Sequence, residues 1–141
     1  MIIIIIYKMQ TQEYKIAILG DTDLGKTTFC KRLINNSNNY LSIVKTLGVD
    51  VTPYPYSYNN RRVRLNLWDC AGDEKYKGLC EDYWIGSNGA IIFKDNFNNH
   101  ITYKNSILNR CGNIPIVFID YNIQLNINNY IEKINELVNL L

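Results

Sequence analysis

The segment "GDTDLGKT", Gly20 to Thr27, most constrains what this chain can fold into. It satisfies the pattern G-x-x-x-x-G-K-[ST], it follows the apolar run "YKIAILG", and it opens "KTTFCKRLI", where Phe29, Leu33 and Ile34 recur at helical spacing. A strand, a glycine-containing turn and a helix in this order aim several main-chain N–H groups at one point, where the helix dipole favours an anion. The segment therefore predicts a phosphate-binding loop, with Lys26 at the terminal phosphates and the Thr27 hydroxyl on Mg²⁺.

Further strands are predicted where short apolar runs are bounded by turn residues. "TPYPYSY" and "RRVRLNLWD" read as a hairpin that turns at Asn59-Asn60, and "GAIIFKD" and "IPIVFID" read as buried strands. Pro53 and Pro55 place the first hairpin strand at a sheet edge, because proline cannot donate to a hydrogen-bonded ladder.

Helical patterns separate these strands. "TYKNSILNR", Thr102 to Arg110, is a short predicted helix, and the chain closes with an amphipathic helix whose apolar face holds Tyr130, Ile131, Ile134, Leu137, Val138 and Leu141. Strands that alternate with helices predict an α/β fold with a mostly parallel sheet covered on both faces.

Composition bounds the number of domains and the class of protein. At 141 residues and 47% hydrophobic side chains, the chain suits one domain, 13–141, preceded by an extension, 1–12. The opening "MIIIIIY" is far shorter than the roughly 20 apolar residues that span a bilayer. A net charge of +2 is too small to indicate nucleic-acid binding, and four cysteines without a C-x-x-C pair indicate reduced thiols in a cytosolic or nuclear protein.

A second motif follows the hairpin. "NLWDCAGDEKYKGL" has Asp69 and Gly72 in D-x-x-G spacing directly after a strand, so Asp69 is expected to hold Mg²⁺ through water and the Gly72 N–H to meet a γ-phosphate. Thr46, in the polar loop "KTLGVDV", is a candidate to close over Mg²⁺ and the γ-phosphate. Its position alone leaves an ordinary loop threonine equally open.

With these motifs in place, the chain resembles the Ran family of small GTPases from about Glu13 to Phe118. The resemblance rests on "KTTFCKRL", "TLGVDVTPYPYSY", "NLWDCAGDEKYKGLCEDYWIG", "AIIF", "TYKN" and "NIPIVF", which occur in the family's order. It implies a P-loop fold of small-GTPase type that binds GTP or GDP with Mg²⁺ and switches nucleocytoplasmic transport of protein and RNA. It also implies nuclear transport receptors and exchange or activating factors as partners, no direct contact with nucleic acid or membrane, a monomer, and a location in nucleus and cytoplasm.

The resemblance also implies a set of site residues. Thr46 would belong to the first switch segment, Asp69–Leu79 would form the second, and Tyr40 would stack on the base. The nucleotide would contact Gly20, Asp21, Thr22, Asp23, Leu24, Gly25, Lys26, Thr27, Thr28, Tyr40, Lys45, Thr46, Gly72 and Asn122. The metal would be held by Thr27, Thr46 and Asp69.

Departures from the family pattern predict slow hydrolysis. The family has adjacent glycines where this chain has Thr22, whose Cβ crowds attacking water and an arginine finger, and Asp23, whose charge repels phosphate by about 4 kcal/mol at ~4 Å before solvent screening. At the catalytic position Asp73 replaces the glutamine that orients the attacking water, and its charge opposes the γ-phosphate.

Recognition of the guanine base is also expected to be weak. Aligned without a gap, Tyr121, Asn122 and Gln124 stand where the family has N-K-x-D, and a neutral amide cannot supply a carboxylate's paired acceptors. Two charge-assisted bonds are worth about 3–6 kcal/mol. The short C-terminal part fits equally well an internal deletion of one strand–helix unit, which puts Asn122 in the second base-contacting loop.

Three functional hypotheses remain open at this point: a nucleotide-binding switch, a degenerate interaction protein of the same family, and a small nucleotide kinase. "LWDCAGDEKY" and "TLGVD" argue against the kinase. Outside the motifs, the sequence predicts a solvated His100 in a polar loop, and Arg61, Arg62 and Arg64 as solvated charges at a strand edge.

Overall fold

A computed structural model of the chain describes residues 11–37, 48–70, 77–95, 97–120 and 126–141, with only the backbone described for 77–79. The elements, in chain order, are β1 (Gln12–Leu19), α1 (Lys26–Asn35), β2 (Val49–Tyr58), β3 (Arg61–Cys70), α2 (Lys77–Tyr83), β4 (Gly89–Lys94), α3 (Asn99–Cys111), β5 (Ile116–Asp120) and α4 (Ile127–Leu140). Of the predicted extension 1–12, residues 1–10 lie outside the described ranges, whereas Gln12 belongs to β1.

The strands form one five-stranded sheet in the order β2-β3-β1-β4-β5. β1 runs parallel to both β3 and β4, and β4 runs parallel to β5. Among the strand pairs in the described ranges, only the β2–β3 hairpin is antiparallel. The predicted α/β fold is therefore confirmed as a mixed, mostly parallel sheet between helices, consistent with a shortened small-GTPase fold. The parallel register also brings the carboxyl ends of β1, β3 and β4 to one edge of the sheet, where open α/β sheets bind ligands.

Alternating side chains of the sheet build a core on each face. Ile16 and Ile18 of β1 face a cluster with α1 and α4, in which the ring of Phe29 lies edge-on to Phe93 (5.6 Å) and Tyr130 (4.9 Å). Ala17 and Leu19 face the opposite cluster with α2 and α3. The predicted apolar face of the closing helix is confirmed, since Tyr130, Ile134, Leu137 and Val138 are buried.

The hairpin prediction is also confirmed. β2 is an edge strand, and Asn59 and Asn60 both have positive φ (50° and 61°), as a two-residue type I′ turn requires. All four cysteines are free thiols. In the part of the chain that the structure describes, no helix combines the length and apolar character needed to cross a bilayer.

Several expectations were wrong at the level of single residues. Ile34 is 45% exposed, because the buried face of α1 runs through Lys26, Phe29, Cys30 and Leu33. α3 begins at Asn99, three residues before the predicted start, so the expected polar loop is helical there. His100 lies in its first turn, where its ring is edge-on to Phe118 at 6.0 Å.

The arginines divide into two kinds. Arg61 is not a solvated edge charge, because its guanidinium donates hydrogen bonds to the Val138 carbonyl (2.9 Å) and to the Tyr14 hydroxyl (2.9 Å) and so ties β3 to α4. Arg64 forms a 2.9 Å ion pair with Glu13 in which both side chains are about half exposed. Such an exposed pair contributes at most about 1 kcal/mol.

Candidate phosphate-binding site

The loop between β1 and α1 depends on backbone conformations that favour glycine. Gly20 has φ 145°, and a Cβ there would lie 3.0 Å from the Phe93 Cβ and 3.1 Å from the Phe93 carbonyl oxygen, so the loop leaves the sheet in close contact with the end of β4. Gly25 has φ 91° at the N-cap of α1. Only glycine adopts these angles without strain.

Asp23 occupies the left-handed region as well, with φ 67°, and it is exposed. Aspartate tolerates this region better than most residues that carry a Cβ, because its short polar side chain can bond locally. The loop therefore keeps the required backbone turn without a third glycine, at the cost of a negative charge on its outer side.

The first turn of α1 offers main-chain donors. The first N–H groups of any helix have no acceptor within that helix, and Gly25 supplies no side-chain cap to them. The first turn of α1 contains no acidic residue. This end of α1, which includes Thr28, therefore favours an anion.

The buried side chain of Lys26 is hydrogen-bonded to the main chain at the start of the loop. It is only 6% exposed, and its Nζ donates to the carbonyl oxygens of Gly20 (2.7 Å) and Asp21 (2.8 Å). An ammonium group has three donors, so these two bonds leave a third for a phosphate oxygen. Burial lowers the pKa of Lys26, and the nearby Asp69 and Asp21 carboxylates oppose that shift.

Thr27 and Asp69 meet beside this lysine. The Thr27 Oγ1 donates to the Asp69 Oδ2 at 2.6 Å, and Asp69 is 2% exposed at the end of β3. A hydroxyl and a carboxylate are hard oxygen donors, and Mg²⁺ is commonly held by one or two carboxylates together with waters and substrate phosphates. The donor pair therefore fits the predicted metal. Among the described residues no three His, Cys, Asp or Glu side chains cluster, so this pair would need oxygens from the nucleotide.

Asp21 points the other way, toward α3. Its carboxylate accepts hydrogen bonds from the Asn99 Nδ2 (2.6 Å) and from the Tyr103 hydroxyl (2.9 Å). Partial burial opposes ionisation of Asp21, but its hydrogen bonds with Asn99, Tyr103 and Asp95, together with the nearby Lys26 ammonium, outweigh that effect and hold its pKa below the usual value. Sequence reasoning missed Asn99 and Tyr103 as neighbours of the loop, since only the sheet order places α3 beside it.

The remaining predicted residues divide between described and undescribed parts of the chain. Thr22 is half-buried in the loop, and Leu24 packs against the core cluster of α1 and α4. Tyr40, Lys45, Thr46, Gly72, Asp73 and Asn122 lie outside the described residues, as do Tyr121 and Gln124. Their predicted roles stay predictions.

A glycine-dependent loop between the first strand and its helix, a buried lysine within it and an Asp at the end of the neighbouring strand define a P-loop nucleotide-binding domain. A comparison with known protein families matches residues 15–124, more than half of the chain, to the family described as "Ras of Complex, Roc, domain of DAPkinase". The chain belongs to this Roc family of Ras-like GTPase domains. The Ras-like part of the resemblance is thus confirmed, and membership implies guanine-nucleotide and Mg²⁺ binding for the family in general.

Proposed function

We propose that this chain is a nucleotide-binding switch that holds polyphosphate and Mg²⁺ through Gly20–Thr28 and Asp69, with weak guanine selectivity and slow hydrolysis. The observation that carries the proposal is the buried Lys26 ammonium, held at the mouth of the loop by two main-chain carbonyls. The Thr27–Asp69 pair beside it supplies the oxygen donors for a metal.

Weak guanine selectivity and slow turnover rest on the sequence. No carboxylate follows β5 at the spacing that the family uses to read guanine, where Asn122 and Gln124 stand instead. Asp73 replaces the water-orienting glutamine, and loss of that group also weakens rescue by an arginine finger, which is worth about 10³–10⁵ in rate.

The cellular role is proposed from the Ran-like segments quoted above. In that role the chain acts in nucleocytoplasmic transport, in nucleus and cytoplasm, and binds nuclear transport receptors and exchange or activating factors through Thr46 and Asp69–Leu79. It works as a monomer, without direct contact with nucleic acid or membrane.

A second candidate is an interaction protein of the same family that no longer hydrolyses nucleotide. Asp23 favours it, because a negative charge on the exposed side of the loop opposes a bound polyphosphate. The two candidates differ in one measurable property, the affinity for polyphosphate.

Titration with fluorescent nucleotide and Mg²⁺, competed by GTP, ATP and inorganic triphosphate, tests the proposal. The wild type is expected to bind all three within a few-fold of one another. Lys26→Ala should weaken binding roughly 10–100-fold, because one charge-assisted hydrogen bond of about 1.5–3 kcal/mol is lost. Lys133→Ala is the matched control, since Lys133 lies on α4 and pairs there with Glu136.

Two other results of this titration would contradict part or all of the proposal. A strong preference for GTP over ATP would contradict the loss of base reading while leaving the phosphate site in place. Absence of binding by a wild type with a folded circular dichroism spectrum would overturn the proposal in favour of the interaction protein.

A further inference from the structure

We propose that Asp21 is a positioning residue through which α3 holds the phosphate loop in its binding conformation, so that polyphosphate affinity depends on Asn99 and Tyr103. The inference rests on the proposed polyphosphate binding and deepens it. It assigns a role to helix α3, which contributes none of the site residues predicted above.

Asp21 is held at both its side chain and its main chain. Each carboxylate oxygen accepts one hydrogen bond from α3: Oδ2 from the Asn99 Nδ2 at 2.6 Å and Oδ1 from the Tyr103 hydroxyl at 2.9 Å. Its main-chain carbonyl accepts from the Lys26 Nζ at 2.8 Å. The position of the residue that begins the loop's turn is therefore set by α3 on one side and by the phosphate-binding lysine on the other.

The hydrogen bonds from α3 also reduce the repulsion that the Asp21 carboxylate would exert on a bound phosphate. A carboxylate within a loop that binds phosphate repels its ligand unless the carboxylate is turned away and its charge is compensated. The two donors from α3 turn the Asp21 carboxylate away from the loop's interior. Together with the hydrogen bond to Asp95 and the Lys26 charge, they stabilise its ionised form and lower its pKa despite partial burial. Asp23 lies two residues further along the same loop and is exposed.

α3 is itself fixed, which makes it a suitable anchor. Ile107 is fully buried under the sheet, and the ring of Tyr103 packs against Trp84 at 6.2 Å. At the other end of the helix, the Arg110 guanidinium donates to Glu81 at 2.8 Å and the Cys111 thiol donates to the Trp84 carbonyl at 3.0 Å. A site loop tied to a rigid element pays less conformational entropy when it binds.

Removal of the α3 donors one at a time tests the inference. Tyr103→Phe and Asn99→Ala are each expected to weaken binding of Mg²⁺–triphosphate about 5–10-fold, because the loop then has to be ordered by the ligand. Tyr58→Phe at the end of β2 and Asn105→Ala on the exposed side of α3 are matched controls that should stay within about twofold of the wild type. Isothermal calorimetry with inorganic triphosphate gives the affinities, and thermal unfolding shows that each variant is folded.

A double-mutant cycle separates positioning from a general structural effect. In an Asp21→Ala background, Tyr103→Phe should change triphosphate affinity less than twofold, since the side-chain acceptor of its hydroxyl is already gone. An equal loss in both backgrounds would overturn the inference. So would wild-type affinity in both Tyr103→Phe and Asn99→Ala.

The inference and the proposed function fail in different ways. If wild-type protein does not bind triphosphate, the proposed function is wrong and the inference is overturned with it. If the wild type binds and Lys26→Ala binds roughly 10–100-fold more weakly, while both α3 variants bind like the wild type, the phosphate site stands and only the role of Asp21 is refuted.

Discussion

At the scale of single residues, the loop between β1 and α1 carries two carboxylates whose charges are handled differently. Asp21 is turned toward α3 and accepts two hydrogen bonds there. Asp23 is exposed and keeps a left-handed backbone with φ 67°. Asp23 therefore combines a left-handed backbone with an exposed negative charge beside the proposed phosphate site, and it is the residue at which substitution should improve binding.

We expect Asp23→Gly to tighten Mg²⁺–triphosphate binding by about tenfold or more, because the nearby charge is removed and solvent reduces the full Coulomb term. It should also raise the free energy of unfolding by up to about 1 kcal/mol, since glycine adopts positive φ freely. Calorimetry and urea unfolding measure the two effects.

Asp23→Asn separates these causes, because asparagine keeps the tolerance for left-handed backbone and removes only the charge. It should reproduce the gain in affinity with little change in stability. Unchanged affinity in both variants would show that Asp23 does not repel the ligand.

At the scale of elements, the sequence patterns that succeeded were those with a local physical cause. The strand–loop–α1 unit follows from Gly20, Gly25 and Lys26, and the hairpin follows from Asn59-Asn60 between two runs of strand-forming residues. The face of α4 follows from apolar spacing alone.

The sequence did not predict α2, the first turn of α3 or the contact between Asp21 and α3, because no local sequence pattern marks them. α2 (Lys77–Tyr83) was expected only as part of a switch segment, and its heptapeptide "KGLCEDY" is too short for a helical period to show. The start of α3 was missed because Asn98 and Asn99 read as loop residues. The contact of Asp21 with α3 joins residues 78 and 82 positions apart, so only the assembled sheet reveals it.

The turn of the hairpin gives a prediction at this scale. Asn60→Ala should lower the free energy of unfolding by about 1–2 kcal/mol, because alanine pays the full cost of left-handed backbone at φ 61°. Asn60→Gly is the matched control and should be neutral or slightly stabilising, since Asn-Gly is the preferred type I′ pair. Urea unfolding that found the alanine variant as stable as the wild type would contradict the assigned turn.

At the scale of the whole molecule, the parallel register of β1, β3 and β4 gathers the loop, Asp69 and the end of β4 at one edge, and a core on each face of the sheet holds them there. A ligand that bridged α1 and β3 at this edge would link elements that pack into the two cores. Its binding energy should therefore appear as stability of the entire domain.

Thermal unfolding measures this coupling. At 100 times its dissociation constant, Mg²⁺–triphosphate should stabilise the protein by about 2.7 kcal/mol, which raises the Tm by roughly 5–10 °C for a domain of this size. GTP and ATP at equal concentration should give similar shifts, and EDTA should reduce both. At the same ligand concentration Lys26→Ala should be stabilised by only about 0.4–1.4 kcal/mol, because its binding is roughly 10–100-fold weaker. A full shift in that variant would mean that the ligand stabilises the fold from another site.

The prolines of β2 affect whether the β2 edge can pair with a strand from a second copy of the protein. Pro53 and Pro55 are two residues apart on the edge strand, so both ring nitrogens face the side away from β3. A second strand that paired with this edge of β2 would meet carbonyl acceptors, but two successive N–H donors would be missing. The β2 edge of the sheet is thereby protected against addition of a strand from a second copy of the chain.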